Sequence, residues 1–69
     1  MESFAKRIKE LREERKLSKR QFAFILGIAP QSYQLYEDNK SEPRQEMLVK
    51  IANYFGVTVG YLLGVEEYE

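Results

Sequence analysis

Between residues 18 and 30 the chain starts a helix, stops it and starts another, and few folds accommodate signals packed so tightly. Ser18-Lys19-Arg20-Gln21 has the form of a capping box, in which serine and glutamine side chains satisfy each other's free backbone N–H groups at a helix start. Leu17 and Phe22 stand where an apolar staple fixes the entering chain to the first turn. Gly27 supplies the left-handed residue that ends a helix. Pro30, three residues on, suits a first helical position, where its missing N–H costs nothing and its φ is already helical. The spacing predicts helices over about 19–26 and 30–37. The first turns Phe22, Ala23, Ile25 and Leu26 inward, and the second Tyr33 and Tyr36, with Ile28 anchoring the turn.

The rest of the chain reads the same way. Phe4, Ile8 and Leu11 form one apolar stripe of a helix over about 4–15, with Ser3 as its N-cap. The run Asp38-Asn39-Lys40-Ser41-Glu42-Pro43 breaks the pattern. Met47 or Leu48, Ile51, Ala52 and Phe55 then define a helix over about 44–55, closed by Gly56. Thr58 caps a last short helix carrying Tyr61, Leu62 and Leu63 and stopped by Gly64, and residues 65–69 form a loose tail. No strand alternation, repeat or low-complexity linker interrupts this, so the expected fold is all-α, a compact bundle of five short helices in a single domain over 1–69.

Composition removes several classes of function. The chain has no cysteine and no histidine, which excludes disulfides, thiolate or imidazole metal ligands, cysteine nucleophiles and histidine acid-base chemistry. Carboxylates and tyrosines are present, but no predicted pocket gathers them, so no enzyme, cofactor or metal is expected. No apolar run approaches the roughly 20 residues that span a bilayer, and MESFAKRIKE lacks the apolar stretch of a secretory signal, so a soluble, cytoplasmic protein is expected. Formal net charge is zero, yet residues 1–20 hold eight basic side chains against four acidic ones, whereas residues 45–69 hold one against four. Either KRIKELREERK is a solvated helix face, or the polarised chain presents a basic face to an anion.

Two short helices joined through Gly27 make the layout of a helix-turn-helix, although any αα-hairpin looks similar. Beyond that layout, nearly the whole chain resembles the phage repressor and Cro-like (Xre-type) helix-turn-helix domains of bacterial and phage regulators. The likeness rests on IKELREERKLS, on Phe22-Ala23 and Leu26-Gly27-Ile28 around the turn, and on Tyr36-Glu37-Asp38-Asn39-Lys40 after the second helix. It continues through Pro43, Leu48, Lys50-Ile51-Ala52, Phe55-Gly56-Val57 and Tyr61-Leu62-Leu63-Gly64.

The resemblance implies a lambda-repressor-like bundle with helix three in the major groove and helix two across the DNA backbone. It places Gln31, Ser32 and Leu35 where the family reads bases, with Gln34 nearby and able to reach a base or a phosphate. A glutamine amide at Gln31 matches the N7 and N6 edge of adenine. Leu35 either contacts a thymine methyl or tucks against the neighbouring helix, and the first case suggests A·T-rich operators. Phosphate contacts fall to Lys19, Arg20, Lys40 and Arg44, with Asn39 as a backbone or amide contact. The same likeness implies a repressor acting as a homodimer on a two-fold operator. Tyr61, Leu62, Leu63 and Val65 either form the dimer surface or close the core.

Several positions depart from the family's habits. Lys19 replaces a glutamine that commonly bridges phosphate and recognition helix. Ala29 replaces a Ser or Thr cap, a change worth about 1 kcal/mol locally. Pro30 preorganises the first turn of helix three but removes a side chain that often reads bases. The recognition helix has no Lys or Arg, and Tyr33 must pair its hydroxyl or push it into solvent. Phe24 lies on a normally polar face and is either a contact for another protein or partly covered by helix one. The competing reading is therefore a protein-interaction or antitoxin-like module using Phe24, Tyr33 and Leu35. Similar domains often precede a C-terminal regulatory domain, whereas Met1 and the acidic ending Glu66-Glu67-Tyr68-Glu69 suit a stand-alone protein.

Overall fold

The computed structural model describes residues 2–66, which form five α-helices and, among the described residues, no strand. They are α1 (Glu2–Glu14), α2 (Lys19–Leu26), α3 (Pro30–Glu37), α4 (Gln45–Phe55) and α5 (Val59–Leu63). The expected all-α bundle is borne out, and α2 and α3 have the expected bounds. Ser18 Oγ accepts a hydrogen bond from Gln21 N at 3.0 Å while Gln21 Oε1 accepts one from Ser18 N at 2.8 Å, so the capping box is complete. Thr58 Oγ1 accepts from Tyr61 N at 2.9 Å and caps α5 as expected.

Each helix ends in the same device. A residue with positive φ follows the last turn, and the next N–H reaches back five residues: Leu17 to Arg12, Ile28 to Ala23, Lys40 to Leu35, Val57 to Ala52 and Val65 to Gly60. Three of the left-handed residues are glycines, but the other two are Asn39 (φ 59°) and Lys16 (φ 57°). Lysine has no special tolerance for that conformation, so the end of α1 carries local strain.

Ser3 does not cap α1 as expected, because the helix already includes it. Its side chain packs instead beneath Gly64, where a Cβ added to the glycine would lie 2.7 Å from Ser3 Cβ and Oγ. Gly64 therefore combines a positive φ with a close approach that only hydrogen permits. The tail expected to be loose from residue 65 is tied down at its first two positions. Both Val65 N and Glu66 N donate to Gly60 O, and Glu66 Oε1 accepts from Thr58 Oγ1. The remaining expected tail, residues 67–69, lies outside the described residues.

The core joins Phe4, Ile8 and Leu11 of α1 with Phe22, Ala23 and Leu26 of α2, Tyr33 of α3, Ile51, Ala52 and Phe55 of α4, and Leu62 of α5. Phe22 sits at its centre, 5.0 Å from the Phe55 ring and 5.3 Å and edge-on to Tyr33. Ile25, expected inside, is at the rim and 36% exposed, because Phe22, Ala23 and Leu26 already fill the inward stripe of an eight-residue helix.

Cations tie the helices together at their C-terminal ends, where carbonyls lack helical partners and the dipole is negative. Arg7 donates to Tyr61 O at 2.6 Å and Glu66 O at 2.9 Å and lies 4.2 Å from the Tyr61 ring centroid. Arg15 donates to Phe55 O at 3.1 Å over the Phe55 ring, and Lys50 Nζ donates to Leu26 O at 3.0 Å.

Candidate nucleic-acid interface

Three residues, 27–29, separate α2 from α3, and α3 packs on both α1 and α2. Pro30 opens α3 after an Ala29 whose side chain makes no capping bond, so the first turn rests on the proline's fixed φ. The eight residues of α3 divide sharply. Tyr33 is fully buried and Tyr36 half-buried, and the Glu37 side chain is only 3% exposed. Gln31, Ser32 and Leu35 face outward. Leu35 keeps 43% of its surface exposed, so it is only partly covered by the rest of the fold. Gln34 is half-buried and donates to Asp38 Oδ1 at 2.7 Å, so it flanks this face rather than centring it.

A buried polar network fixes α3 from behind. Arg12 Nε donates to Glu37 Oε2 at 2.7 Å and Arg12 Nη2 to Glu37 Oε1 at 3.2 Å, a bidentate pair. Arg12 Nη1 donates to Leu17 O at 2.6 Å, and the Tyr33 hydroxyl donates to Glu37 Oε2, so one guanidinium ties α1, the α1–α2 turn and α3 together. Tyr33 thus finds the partner its burial requires. Desolvation, reinforced by the bond to Glu37, pushes the Tyr33 phenol well above the ordinary tyrosine range. The Arg12 guanidinium is raised by its hydrogen bond to Glu37, against an opposing effect of burial. The pairing also keeps the one carboxylate of α3 off the outward face, where it would repel phosphate.

Sequence reasoning missed this network, although its signal was present. Arg12 falls four residues after Ile8 on the apolar stripe of α1, and Glu37 four after Tyr33 on the inward face of α3. The expected basic face of residues 1–20 is also smaller than the charge count implied. Arg7, Arg12 and Arg15 serve intramolecular bonds, although Arg15 stays exposed beside Lys6, Lys9, Lys16, Lys19 and Arg20.

Lys19 and Arg20 lie in the first turn of α2, and Lys40 and Arg44 flank the loop after α3; all four are exposed. No acidic side chain occupies the first turn of α2 or α3, where the dipole favours anions. The positive charges of Lys19 and Arg20 at the start of α2 oppose that dipole, a local conflict that a bound phosphate would relieve. Asn39 is exposed at its left-handed position. Phe24 is 85% exposed, so α1 does not cover it, and it borders a shallow apolar depression with Leu17, Arg20, Gln21 and Ile25. Of the expected dimer surface, Leu62 must be withdrawn because its side chain is fully buried in the core. Tyr61 and Leu63 are half-buried, and Val65 is 77% exposed.

A surface cleft at the end of α3 gathers Tyr36, Glu42, Arg44, Glu46 and Met47, which corrects the expectation that no pocket brings carboxylates and tyrosine together. Among the described residues, no group of carboxylates is arranged to hold a metal ion. No described helix is long and apolar enough to cross a membrane.

A five-helix bundle whose second and third helices meet across a three-residue turn, the latter pinned behind and open to solvent in front, is a helix-turn-helix domain. The helix-turn-helix family model matches residues 8–62, and the chain belongs to that family. It is 36% identical over 64 residues to YobD of Bacillus subtilis, named an uncharacterized HTH-type transcriptional regulator, covering 93% of this chain and 57% of YobD. It is 38% identical over 60 residues to the SPbeta prophage-derived regulator YonR of the same organism, covering 87% of this chain and 56% of YonR. The cryptic phage CTXphi transcriptional repressor RstR of Vibrio cholerae is 31% identical over 64 residues, covering 93% of this chain and 58% of RstR. The chain thus spans little more than half the length of these relatives. No solved structure matches it. The resemblance to repressor-like domains is borne out, and the family is one of regulators rather than enzymes.

Proposed function

We propose that the chain binds double-stranded DNA sequence-specifically as a transcriptional repressor, a homodimer with α3 of each copy in the major groove. The division of α3 carries this reading: Tyr33 and Glu37 are locked inward, so Gln31, Ser32 and Leu35 are presented as a rigid outward set. Gln34 reaches a base or a phosphate from the flank. Lys19, Arg20, Lys40 and Arg44, with Asn39, contact phosphates on either side. Gln31 favours adenine and so an A·T-rich operator. Repression is supported by the likeness to RstR, named a transcriptional repressor. Tyr61, Leu63 and Val65 supply the dimer surface, and the protein works in the bacterial or phage-infected cytoplasm.

Fluorescence anisotropy against duplex DNA over a range of salt concentrations tests the reading. Four phosphate-neutralising cations per copy give a slope of log affinity against log salt of about −3.6, doubled to about −7 in a dimer. Replacing Lys40 and Arg44 with alanine should halve that slope, and absence of duplex binding at low salt would overturn the proposal. A second reading, a protein-interaction or antitoxin-like module of the same fold, is favoured by the exposure of Phe24 alone. It gains ground only if that titration fails.

A further inference from the structure

The outward face of α3 is part polar and part apolar, and the apolar part has no task inside the protein. Gln31 and Leu35 are four residues apart and therefore neighbours on the exposed side of the helix, with Ser32 three residues before Leu35. Leu35 keeps 43% of its surface open while Tyr33, Tyr36 and Glu37 turn away from solvent. Gln34, engaged with Asp38, does not cover it. A leucine has no donor or acceptor, so it cannot read the nitrogen and oxygen atoms of base edges. In the major groove the apolar group a base presents is the methyl on C5 of a pyrimidine.

We propose that Leu35, beside the Gln31 amide, reads the 5-methyl group of a pyrimidine and so makes binding responsive to covalent modification of DNA. The inference rests on the DNA-binding reading above. Thymine and 5-methylcytosine carry this methyl at the same place and differ in the adjoining group, an O4 acceptor or an N4 donor. Leu35 does not distinguish those polar groups, so cytosine methylation at that position mimics thymine.

The test begins with duplexes selected from a random pool by the purified chain. Each thymine of a selected site is then replaced singly by uracil, which removes only the methyl, and binding is measured by anisotropy. Uracil at one position per half-site is expected to weaken binding about fourfold, equivalent to ~0.8 kcal/mol for one carbon returned to water. Leu35→Ala and Leu35→Asn, with folding checked by circular dichroism, should bind the thymine and uracil duplexes equally. At the same position 5-methylcytosine should bind about fourfold tighter than cytosine. Equal binding of those two, with the uracil penalty intact, would instead assign the contact to thymine alone and overturn the response to methylation. Uracil duplexes that bind as tightly as thymine duplexes at every position overturn the inference and leave the DNA-binding reading standing. So does a uracil penalty that survives in both Leu35 variants. Failure to select any duplex removes both.

Discussion

Glu37 is the residue on which α3 depends most. Its side chain is almost wholly covered and accepts from Arg12 and Tyr33 together. Glu37→Gln leaves the Arg12 guanidinium covered without a counter-ion, which should destabilise the fold by about 3–5 kcal/mol, measured by urea denaturation. Tyr33→Phe removes one hydrogen bond and keeps the ring contacts, so a loss of about 1 kcal/mol is expected. Tyr33→Phe also changes the pH response of stability. The folded Tyr33 phenol holds its proton above the ordinary range, whereas an unfolded tyrosine ionises near pH ~10. The contribution of Tyr33 is intact below that pH and is lost as pH rises above it, because the unfolded chain alone releases the proton. Thermal melts between pH 9 and 11 should therefore show a steeper fall for the unmodified chain than for Tyr33→Phe. None of this was legible in residues taken singly. Arg12 and Glu37 are 25 residues apart, and each reads as a solvated charge until the packing of α1 on α3 brings them together.

The helices themselves were largely legible because their boundaries are set by neighbours in sequence. Ser18 with Gln21, Gly27, Gly56, Thr58 and Gly64 act where expected through bonds spanning five residues or fewer, and Pro30 through its fixed φ. The end of α1 was not legible, since nothing in a lysine announces a left-handed backbone. Lys16→Gly should relieve the ~1–2 kcal/mol left-handed penalty, less the ~0.5–1 kcal/mol of extra chain freedom that glycine loses on folding. A net gain of about 0.5–1 kcal/mol, seen as a melting temperature higher by roughly 2–8 °C, is expected. Ala29→Ser supplies the side-chain cap that α3 lacks and should add about 1 kcal/mol, measured in the same way.

For the whole molecule, Leu62 of α5 is buried in the core while Val65, just beyond the helix, is exposed. Leu62→Ala opens a cavity in the core where α5 packs on α1 and α4 and should cost about 2–5 kcal/mol of fold stability. Val65→Glu changes an exposed position, so it should leave the melting curve of the isolated chain nearly unchanged, and on the proposed homodimer surface it should weaken self-association in sedimentation equilibrium. The overall charge pattern was the least reliable guide from sequence. A count of cations does not reveal that Arg7, Arg12 and Arg15 spend their hydrogen bonds on carbonyls and a carboxylate within the chain.

Ser3 lies directly against Gly64, and α1 is held to α5 by Arg7. During synthesis α1 therefore waits for α5, because the two pack on each other and both contribute side chains to one core. The same adjacency allows the sequence to be re-cut. A short flexible bridge from residue 66 to residue 2, with new termini opened in the loop around residues 40–42, should give a circular permutant that folds to the same bundle.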